Sequence, residues 1–319
     1  MLSFVNGKFV PETRAVVSVF DRGFLYGDGL FETLYVRRDQ PFRLAQHLDR
    51  LERGAEFLGI RLPFGRKAIA AFAARLIHRN ALHTDSLLRL ALSRGTGPRG
   101  YSPRGADMPT LVITQHPAAD RPSAAPRWRL ATASVRLPAG DALARFKSCN
   151  KLPQILARAE AESRGADEAL LLNTAGWVAE GASSNLFWIQ RDTVFTPPLE
   201  SGILAGVTRS VVFEVCAALG IMLRERSLRP AALRQQDAVF LSLSSLGIVP
   251  ASHFDGQRLG TSPLVARLRR GYWQRVETEI ASPPSCMTDS RKRLARTFRD
   301  CSTGMDADID RVRQPSKSV

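Results

Sequence analysis

The sequence predicts a two-domain protein of mixed α+β or α/β class, with helices and strands alternating along most of the chain. Its 319 residues are enough for two domains that each bury a sizeable core. Several segments carry apolar residues at helical spacing, and short apolar runs bounded by turn residues lie between them. A Pro- and Ala-rich stretch without periodicity, residues 119–127, is typical of an interdomain linker.

Residues 1–118 are predicted to form a smaller N-terminal α+β domain. Asn6-Gly7 is a dipeptide that favours hairpins, so we expect a turn there. The glycine-rich run 20–33 predicts a tight loop in which the backbone approaches another group closely. The remaining pattern predicts strands at 2–10, 15–19, 87–95 and 111–116, and amphipathic helices at 45–59 and 65–81.

Residues 128–281 are predicted to form a larger C-terminal domain. Its first helix is expected at 153–164, followed by a buried strand and, at the end, a closing helix. The residues of 153–164 expected to face the core are Ile155, Leu156 and Ala159. The tail 282–319 is polar with little apolar content, so we expect it to be mostly disordered.

Composition excludes several functional classes. No apolar run reaches the roughly 20 residues of a membrane span, and the N-terminal residues lack the pattern of a signal peptide. The four cysteines show no CxxC spacing, which argues against a metal site and fits a reducing cytoplasm. The net charge of +15 comes mostly from Arg residues spread along the chain, so nucleic-acid binding is not expected. A positive field would help to capture small anions.

Lysine is scarce in this chain, and two of its lysines stand close together. Only six of the 45 basic residues are Lys, and Lys147 and Lys151 open the stretch 146–188. Arg cannot lose its proton, whereas Lys can form a Schiff base where a site lowers its pKa. The pattern indicates a reactive amine, and the alternative is solvated charge in front of a helix.

Two further segments carry groups suited to anions. The loop after the strand 87–95 contains Arg99 and Tyr101, which are available to hold an anion. At Val207 and Thr208 a Gly-containing loop runs into a helix, whose free N–H groups and dipole favour a phosphate. A Thr at a helix start is also typical of a simple cap, and this alternative stays open.

The predicted helix 45–59 brings two polar side chains to one face. His47 and Arg50 lie three residues apart, a spacing that lets side chains point together from a helix. We interpret His47 as a partly exposed helical residue without a role in a site.

Five segments, taken in order, resemble the fold type IV family of pyridoxal-phosphate enzymes. This family includes branched-chain and D-amino-acid aminotransferases and aminodeoxychorismate lyase. The segments are DRGFLYGDGLFET, HLDRL, FKSCNKLPQILARAEAESRGADEALLLNTAGWVAEGASSNLFW, AGVTR and LSLSS. The resemblance covers about residues 1–278, leaves out the tail, and implies a two-domain fold of the D-amino-acid aminotransferase type with the cofactor bound in the C-terminal domain.

The resemblance implies pyridoxal 5′-phosphate as cofactor, without a metal. It assigns the Schiff-base lysine to Lys147 and the partner of the pyridine nitrogen to Glu180. The phosphate contacts that it implies are Arg50, Val207, Thr208 and Ser244. Lys151 is the competing Schiff-base candidate, but its position four residues later puts it on a different face. The family pairs its subunits, which implies a homodimer with the loop after 87–95 or the region 27–31 near the partner.

The reaction that the sequence favours is that of the lyase. The run SRGTGPRGYS and the Lys-x-x-Asn spacing of Lys147 and Asn150 resemble aminodeoxychorismate lyase, which forms 4-aminobenzoate and pyruvate in folate biosynthesis. Its substrate is a dicarboxylate, and the resemblance implies that Arg99 and Tyr101 recognise it.

Two alternatives remain open. The run EGASSN also resembles D-amino-acid aminotransferases, so the enzyme could act on branched-chain or D-amino acids with 2-oxoglutarate. A branched-chain substrate requires an apolar pocket, for which the candidates are Phe24, Leu30 and Phe31. The second alternative is a basic interaction protein in which the enzyme fold is vestigial.

Overall fold

Two β-sheets organise the described part of the chain, and each is built from its own section of the sequence. The computed structural model describes residues 1–118 and 126–281. The strands of the first sheet are β1 (Leu2–Val5), β2 (Lys8–Pro11), β3 (Gly29–Arg37), β4 (Gln40–Pro41), β5 (Ser86–Thr96) and β6 (Met108–Pro117). Their spatial order is β2-β1-β6-β5-β3-β4, and every neighbouring pair is antiparallel.

Helices cover one face of this first sheet. The helices of this section are α1 (Arg22–Tyr26), α2 (Leu44–Leu58) and α3 (Arg66–Asn80). Leu30 of β3 faces α2, because a Cβ added at Gly54 would meet its side chain at 2.9 Å. Since side chains alternate along a strand, the opposite face carries Phe31 and, on the paired strand β5, Arg89. Tyr35 lies on that same opposite face and packs into the core of the second sheet.

The second sheet combines parallel and antiparallel pairs. Its strands are β7 (Trp128–Leu137), β8 (Glu168–Asn173), β9 (Val178–Gly181), β10 (Asn185–Gln190), β11 (Thr193–Thr196), β12 (Leu223–Glu225), β13 (Ala238–Leu243), β14 (Gly247–Phe254) and β15 (Gln257–Arg258). The spatial order is β12-β11-β10-β13-β14-β7-β8-β9, and β15 pairs with β14. The helices of this section are α4 (Leu152–Ser163), α5 (Val207–Ala218), α6 (Pro230–Leu233) and α7 (Pro263–Ala281).

The second sheet is buried on both faces. On one face α5 and α7 pack against Phe187 and Phe240, whose rings stack with centroids 4.9 Å apart. On the other face Trp188 and Leu241 pack against Leu233 of α6. Burying one such large apolar side chain stabilises a fold by about 1.5–3 kcal/mol. The sheet is therefore a rigid support for the side chains at its strand ends.

The predicted helix at 153–164 exists as α4, but the prediction of its buried face was wrong. Ala157 and Ala161 are buried, whereas Ile155 is 61% and Leu156 is 53% exposed, and Ala159 is exposed as well. The helix packs closely on β7 and β8. Small side chains permit that close approach, so the alanines four residues apart face the sheet and the larger residues face outwards.

The start of the chain confirms one prediction and contradicts another. The turn at Asn6-Gly7 joins β1 and β2 as expected. The strand expected at 15–19 is absent from the described structure, and Val16, Val17 and Val19 there are exposed. Alternating apolar residues form a strand only where a sheet edge is available to pair with them.

The predicted domain division stays a prediction. The first sheet ends at Pro117 and the second begins at Trp128, on either side of the predicted linker 119–127. Most of that linker, and the predicted tail 282–319, lie outside the described residues. In the described ranges, no helix combines the length and the apolar character that crossing a membrane requires.

Candidate active site

Lys147 lies on an extended segment that hydrogen-bonds to β3. Phe31 N donates to the carbonyl oxygen of Lys147 at 2.9 Å, and Cys149 N donates to that of Gly29 at 2.8 Å. The Nζ atom of Lys147 lies 4.6 Å from the centroid of the Phe31 ring. Burial, together with the charge of Arg50, lowers the pKa of Lys147 to about 8. Near neutral pH a larger fraction of Lys147 is therefore in the neutral amine form, which a Schiff base requires, than of an exposed lysine.

Glu180 of β9 is half-buried, and only one oxygen of its carboxyl group accepts hydrogen bonds. Its Oε2 atom accepts from Leu204 N at 2.9 Å and from Asn185 Nδ2 at 3.2 Å. Burial raises the pKa of Glu180 to about 7. No hydrogen bond to its Oε1 atom occurs within the described residues. A protonated ring nitrogen is the kind of partner that would keep this carboxylate ionised.

A buried glutamate, Glu168, stabilises the turn that follows Glu180. Glu168 of β8 is fully buried and accepts from Ser183 Oγ at 2.7 Å and from Ser184 Oγ at 3.3 Å. Gly181 is required at the bend, because a Cβ there would lie 2.3 Å from Ser184 Oγ. The segment EGASSN therefore folds as a tight corner between β9 and β10.

Arg50 and His47 of α2 converge on one buried carboxylate, that of Glu32 in β3. Arg50 Nε and Nη2 donate to the two Glu32 oxygens at 2.7 and 2.6 Å, and His47 Nδ1 lies 2.6 Å from Oε2. Although burial would raise it, hydrogen bonding to Arg50 lowers the pKa of Glu32 to about 2. Burial lowers the pKa of His47, which favours the neutral ring. The interpretation of His47 as partly exposed was wrong, because the residue is buried beside Glu32, to which it is hydrogen-bonded.

The four predicted phosphate contacts meet at the start of α5. Arg50 Nη1 donates to the carbonyl oxygen of Ala205 at 2.9 Å, and Thr208 Oγ1 lies 3.4 Å from Ser244 Oγ. The helix begins at Val207, and its N-cap residue, a glycine, supplies no side-chain hydrogen bond. Thr208 is the second helical residue and does not cap the helix, so the simple-cap alternative was wrong.

These groups fit a cofactor with a pyridine ring and a phosphate. A dianionic phosphate needs a cation, free N–H groups and hydroxyls, and Arg50, the start of α5, Thr208 and Ser244 supply them. The carboxyl of Glu180 suits the ring nitrogen, and Lys147 suits the aldehyde. The individual roles of these residues stay predictions.

Arg99 and Tyr101 do not join this group in the protomer. Both lie in the loop between β5 and β6, and Tyr101 is 88% exposed. Arg22 fixes the loop by donating to the carbonyl oxygens of Gly100 at 2.8 Å and Tyr101 at 3.1 Å. Within the described residues, neither Arg99 nor Tyr101 contacts Lys147. Their role in substrate binding stays a prediction.

Arg89 was missed by the sequence reasoning. Its Cζ atom lies 4.0 Å from the centroid of the Phe31 ring, the same ring that Lys147 approaches. Although Arg89 is exposed, partial desolvation lowers the pKa of its guanidinium, and no carboxylate of the described ranges pairs with it. Strand alternation in SLLRLAL carried the signal, because Leu88 and Leu90 are buried on the helix side and Arg89 must face the other way.

The three candidates for an apolar substrate pocket do not come together. Leu30 packs against α2 on the far face of the sheet, and Phe24 is 74% exposed. Only Phe31 lies beside Lys147. Leu30 and Phe31 therefore do not line one pocket, because successive residues of a strand point to opposite faces, and the role of Phe24 stays a prediction.

Comparison with known proteins places this geometry in a family. The model of the amino-transferase class IV family matches residues 29–254, most of the chain and the whole of the site. The chain belongs to the class IV aminotransferase family. Solved class IV structures hold N-(5′-phosphopyridoxyl)-L-glutamate or pyridoxamine 5′-phosphate, and this chain is a pyridoxal-phosphate enzyme of the same family.

Several class IV proteins resemble the chain over most of its length. A Methanocaldococcus jannaschii protein named "Putative branched-chain-amino-acid aminotransferase" is 36% identical over 261 residues, 81% of this chain and 89% of that protein. The aminodeoxychorismate lyase of Bacillus subtilis is 31% identical over 260 residues, 81% of this chain and 88% of that enzyme.

A solved class IV structure confirms the predicted fold class. The branched-chain aminotransferase of the thermophilic archaeon Thermoproteus uzoniensis, solved with norvaline, superposes with a TM-score of 0.81 at 29% identity. The match covers 86% of this chain and 94% of that one. The mixed α/β architecture of fold type IV, predicted from the motifs, is therefore correct.

Proposed function

We propose that the chain is a 4-amino-4-deoxychorismate lyase that releases 4-aminobenzoate and pyruvate. The observation that carries this proposal is that two cations, Lys147 and Arg89, lie over the ring of one residue, Phe31. Lys147 Nζ and Arg89 Cζ lie 4.6 and 4.0 Å from the centroid of one ring, that of Phe31. Arg89 has no carboxylate partner in the described ranges, so it is available for one on the substrate. The lyase substrate carries two carboxylates and a ring that can lie against an aromatic side chain.

The cofactor is held at its two ends by this chain. Arg50, Thr208 and Ser244 bind the phosphate with the N–H groups at the start of α5. Glu180 would accept a hydrogen bond from the protonated pyridine nitrogen, whose positive charge would offset the cost of burying the carboxylate. When bound, the cofactor would supply an electron sink that stabilises the negative charge left on the substrate carbon after its proton is removed.

Lys147 moves the proton that starts the reaction. In the proposed reaction the free amine of Lys147 would take the proton from the amine-bearing carbon of the substrate ring, and Lys147 would return to the cofactor as 4-aminobenzoate leaves. The ether bond to the neighbouring ring carbon then breaks, and the enolpyruvyl group leaves and is protonated to pyruvate. The six-membered ring becomes aromatic, which drives the step forward. Arg89 orients the ring by holding a carboxylate away from the reacting carbon.

The active form is proposed to be a homodimer. Gly27 and Asn150 are in contact, which places α1 beside the start of α4, and these helices expose Phe24 and, at 64% and 61%, Leu152 and Ile155. An exposed apolar surface of this kind is typical of a protein interface. A second copy is the favoured occupant, because the neighbouring loop carries Arg99 and Tyr101 away from the protomer's own Lys147. Across the interface they would complete the partner's site.

An aminotransferase is the second candidate. It is favoured by the Methanocaldococcus jannaschii relative, at 36% identity. Arg89 would then hold the distal carboxylate of glutamate or 2-oxoglutarate, and Lys147 would move a proton between the amino acid and the cofactor.

A comparison of products separates the two candidates. Cofactor-loaded enzyme would be given aminodeoxychorismate alone, and separately D-alanine or leucine with 2-oxoglutarate. The lyase proposal expects 4-aminobenzoate without any added oxo acid and only trace glutamate from the second mixtures. Rapid glutamate formation with no 4-aminobenzoate would replace the lyase with the aminotransferase.

A further inference from the structure

We infer that Glu32 is a positioning residue for the cofactor phosphate, because it fixes the guanidinium of Arg50 in one orientation at the start of α5. The inference rests on the proposed role of Arg50 as a phosphate ligand. Glu32 itself is 1% exposed and lies behind Arg50, so it reaches a phosphate only through that residue, although its charge also raises the pKa of Lys147.

Three contacts lock the plane of the Arg50 guanidinium. Its Nε and Nη2 donate to Oε1 and Oε2 of Glu32 at 2.7 and 2.6 Å, and its Nη1 donates to Ala205 O at 2.9 Å. A guanidinium is planar and has five N–H groups. With three of them committed on different sides, rotation about the side-chain bonds is blocked, and two N–H groups remain for a phosphate.

His47 fixes the carboxylate that fixes Arg50. Its Nδ1 lies 2.6 Å from Oε2 of Glu32, and the ring is 2% exposed. In the neutral ring, Nδ1–H is the donor to this carboxylate. Both Glu32 oxygens are therefore occupied, and Oε2 accepts from two residues of α2. The carboxylate cannot turn away without breaking a buried hydrogen bond.

Removing the charge of Glu32 has two opposed consequences for an anion at Arg50. The negative charge of Glu32 repels a phosphate, so neutralising it strengthens the attraction. Recognition of phosphate by a guanidinium depends on the direction of its N–H groups, so freeing Arg50 weakens binding. A Gln at this position would also present amide N–H groups to the Arg50 donors. We expect the loss of orientation to be the larger effect.

The test compares a cofactor with and without a phosphate. Binding of pyridoxal 5′-phosphate and of pyridoxal is measured from the absorbance of the lysine-linked chromophore in the wild type, E32Q, R50Q and E214Q. Glu214 is a matched control, because its carboxylate forms a two-pronged pair with Arg43, at 2.7 and 2.6 Å, elsewhere in the structure. Because Glu32 also influences Lys147, the readout is the affinity for pyridoxal 5′-phosphate relative to that for pyridoxal. We expect E32Q to lose at least about tenfold in this ratio, about 1.4 kcal/mol, and E214Q to keep both affinities unchanged.

The variants separate the possible failures. Tighter binding of pyridoxal 5′-phosphate by E32Q, or equal losses for both compounds, would overturn the inference. If R50Q loses phosphate-dependent affinity and E32Q does not, only the role of Glu32 fails. If R50Q binds both compounds like the wild type, the proposed role of Arg50 fails as well. If E32Q does not fold, E32D replaces it, because Asp keeps the negative charge but its side chain is one methylene shorter. Wild-type affinity in E32D would contradict the inference.

Discussion

The hydroxyl oxygens of Thr208 and Ser244 lie 3.4 Å apart, although the residues are separated by 36 positions in the chain. One stands in the first turn of α5 and the other just after β13. The pair joins two short segments that the resemblance had assigned to the same phosphate, and it marks the place where that phosphate would lie beside Arg50.

Removing either hydroxyl should weaken binding of the phosphate selectively. We expect Thr208→Val and Ser244→Ala each to lower the affinity for pyridoxal 5′-phosphate about fivefold, the value of one hydrogen bond of roughly 1 kcal/mol. The measurement is a spectroscopic titration beside one with pyridoxal, whose affinity should not change. Ser245→Ala, next to Ser244, is the control. Equal losses with both compounds would argue against a phosphate contact.

The reactivity of Lys147 should rise with pH in the cofactor-free protein. The free amine exists above the pKa of about 8, so the rate of pyridoxal capture should increase with a midpoint near that value. Arg50 contributes to the lowering, so in R50Q the midpoint should move upwards towards that of an exposed lysine. Stopped-flow absorbance from about pH 6 to about pH 10, a range that brackets the buried and the exposed lysine, measures it. A midpoint in the wild type at the ordinary value of an exposed lysine would contradict the buried position of Lys147.

Glu180 should make the cofactor-free protein less stable as the pH rises. Its pKa is near 4.5 when unfolded and about 7 when folded, so its favourable contribution is complete below 4.5 and is lost on rising through 7. Glu180→Gln, which keeps the acceptor for Leu204 N, should be more stable than wild type at about pH 8 by about 1–3 kcal/mol. Urea unfolding at about pH 8 and about pH 4 measures this, and no difference is expected at the lower pH. A Glu180→Gln variant that is less stable than the wild type at about pH 8 would contradict the raised pKa of Glu180.

Replacing Arg89 should weaken substrate binding without changing cofactor binding. We expect Arg89→Met to raise KM for aminodeoxychorismate by at least about tenfold, because a charge-assisted hydrogen bond contributes about 1.5–3 kcal/mol. The cofactor spectrum should be unchanged. Arg53→Met, on the exposed side of α2, is the control for loss of a positive charge. An unchanged KM in the Arg89 variant would remove this residue from the substrate site.

The exposed face of α4 should hold the dimer together. Ile155→Glu places a charge in the proposed interface and should shift the protein towards monomer in light scattering, with loss of activity. Met222→Glu is the matched control, since Met222 is an exposed apolar residue just before β12, at the opposite edge of the second sheet from β8 and β9. A wild-type protein that is monomeric and fully active would refute the interface.

Candidate site residues could be proposed from the sequence more readily than their surroundings. Lys147 and Glu180 became candidates because their segments are continuous and resemble a known family, and their roles stay predictions. His47 and Arg89 could not, because their environment depends on contacts with Glu32 and Phe31, which lie many residues away. The prediction of the buried face of α4 failed for the same reason. Only the close approach of β7 and β8 shows that the alanines of α4, and not Ile155, face inwards.

The most direct test of the account is the stoichiometry of the products. Cofactor-loaded enzyme is incubated with aminodeoxychorismate, and 4-aminobenzoate and pyruvate are quantified in the same samples for the wild type and Lys147→Ala. The account predicts equal amounts of both products from the wild type and none from the variant. Neither product from a wild-type enzyme that carries the lysine-linked cofactor, or undiminished release from Lys147→Ala, would contradict it.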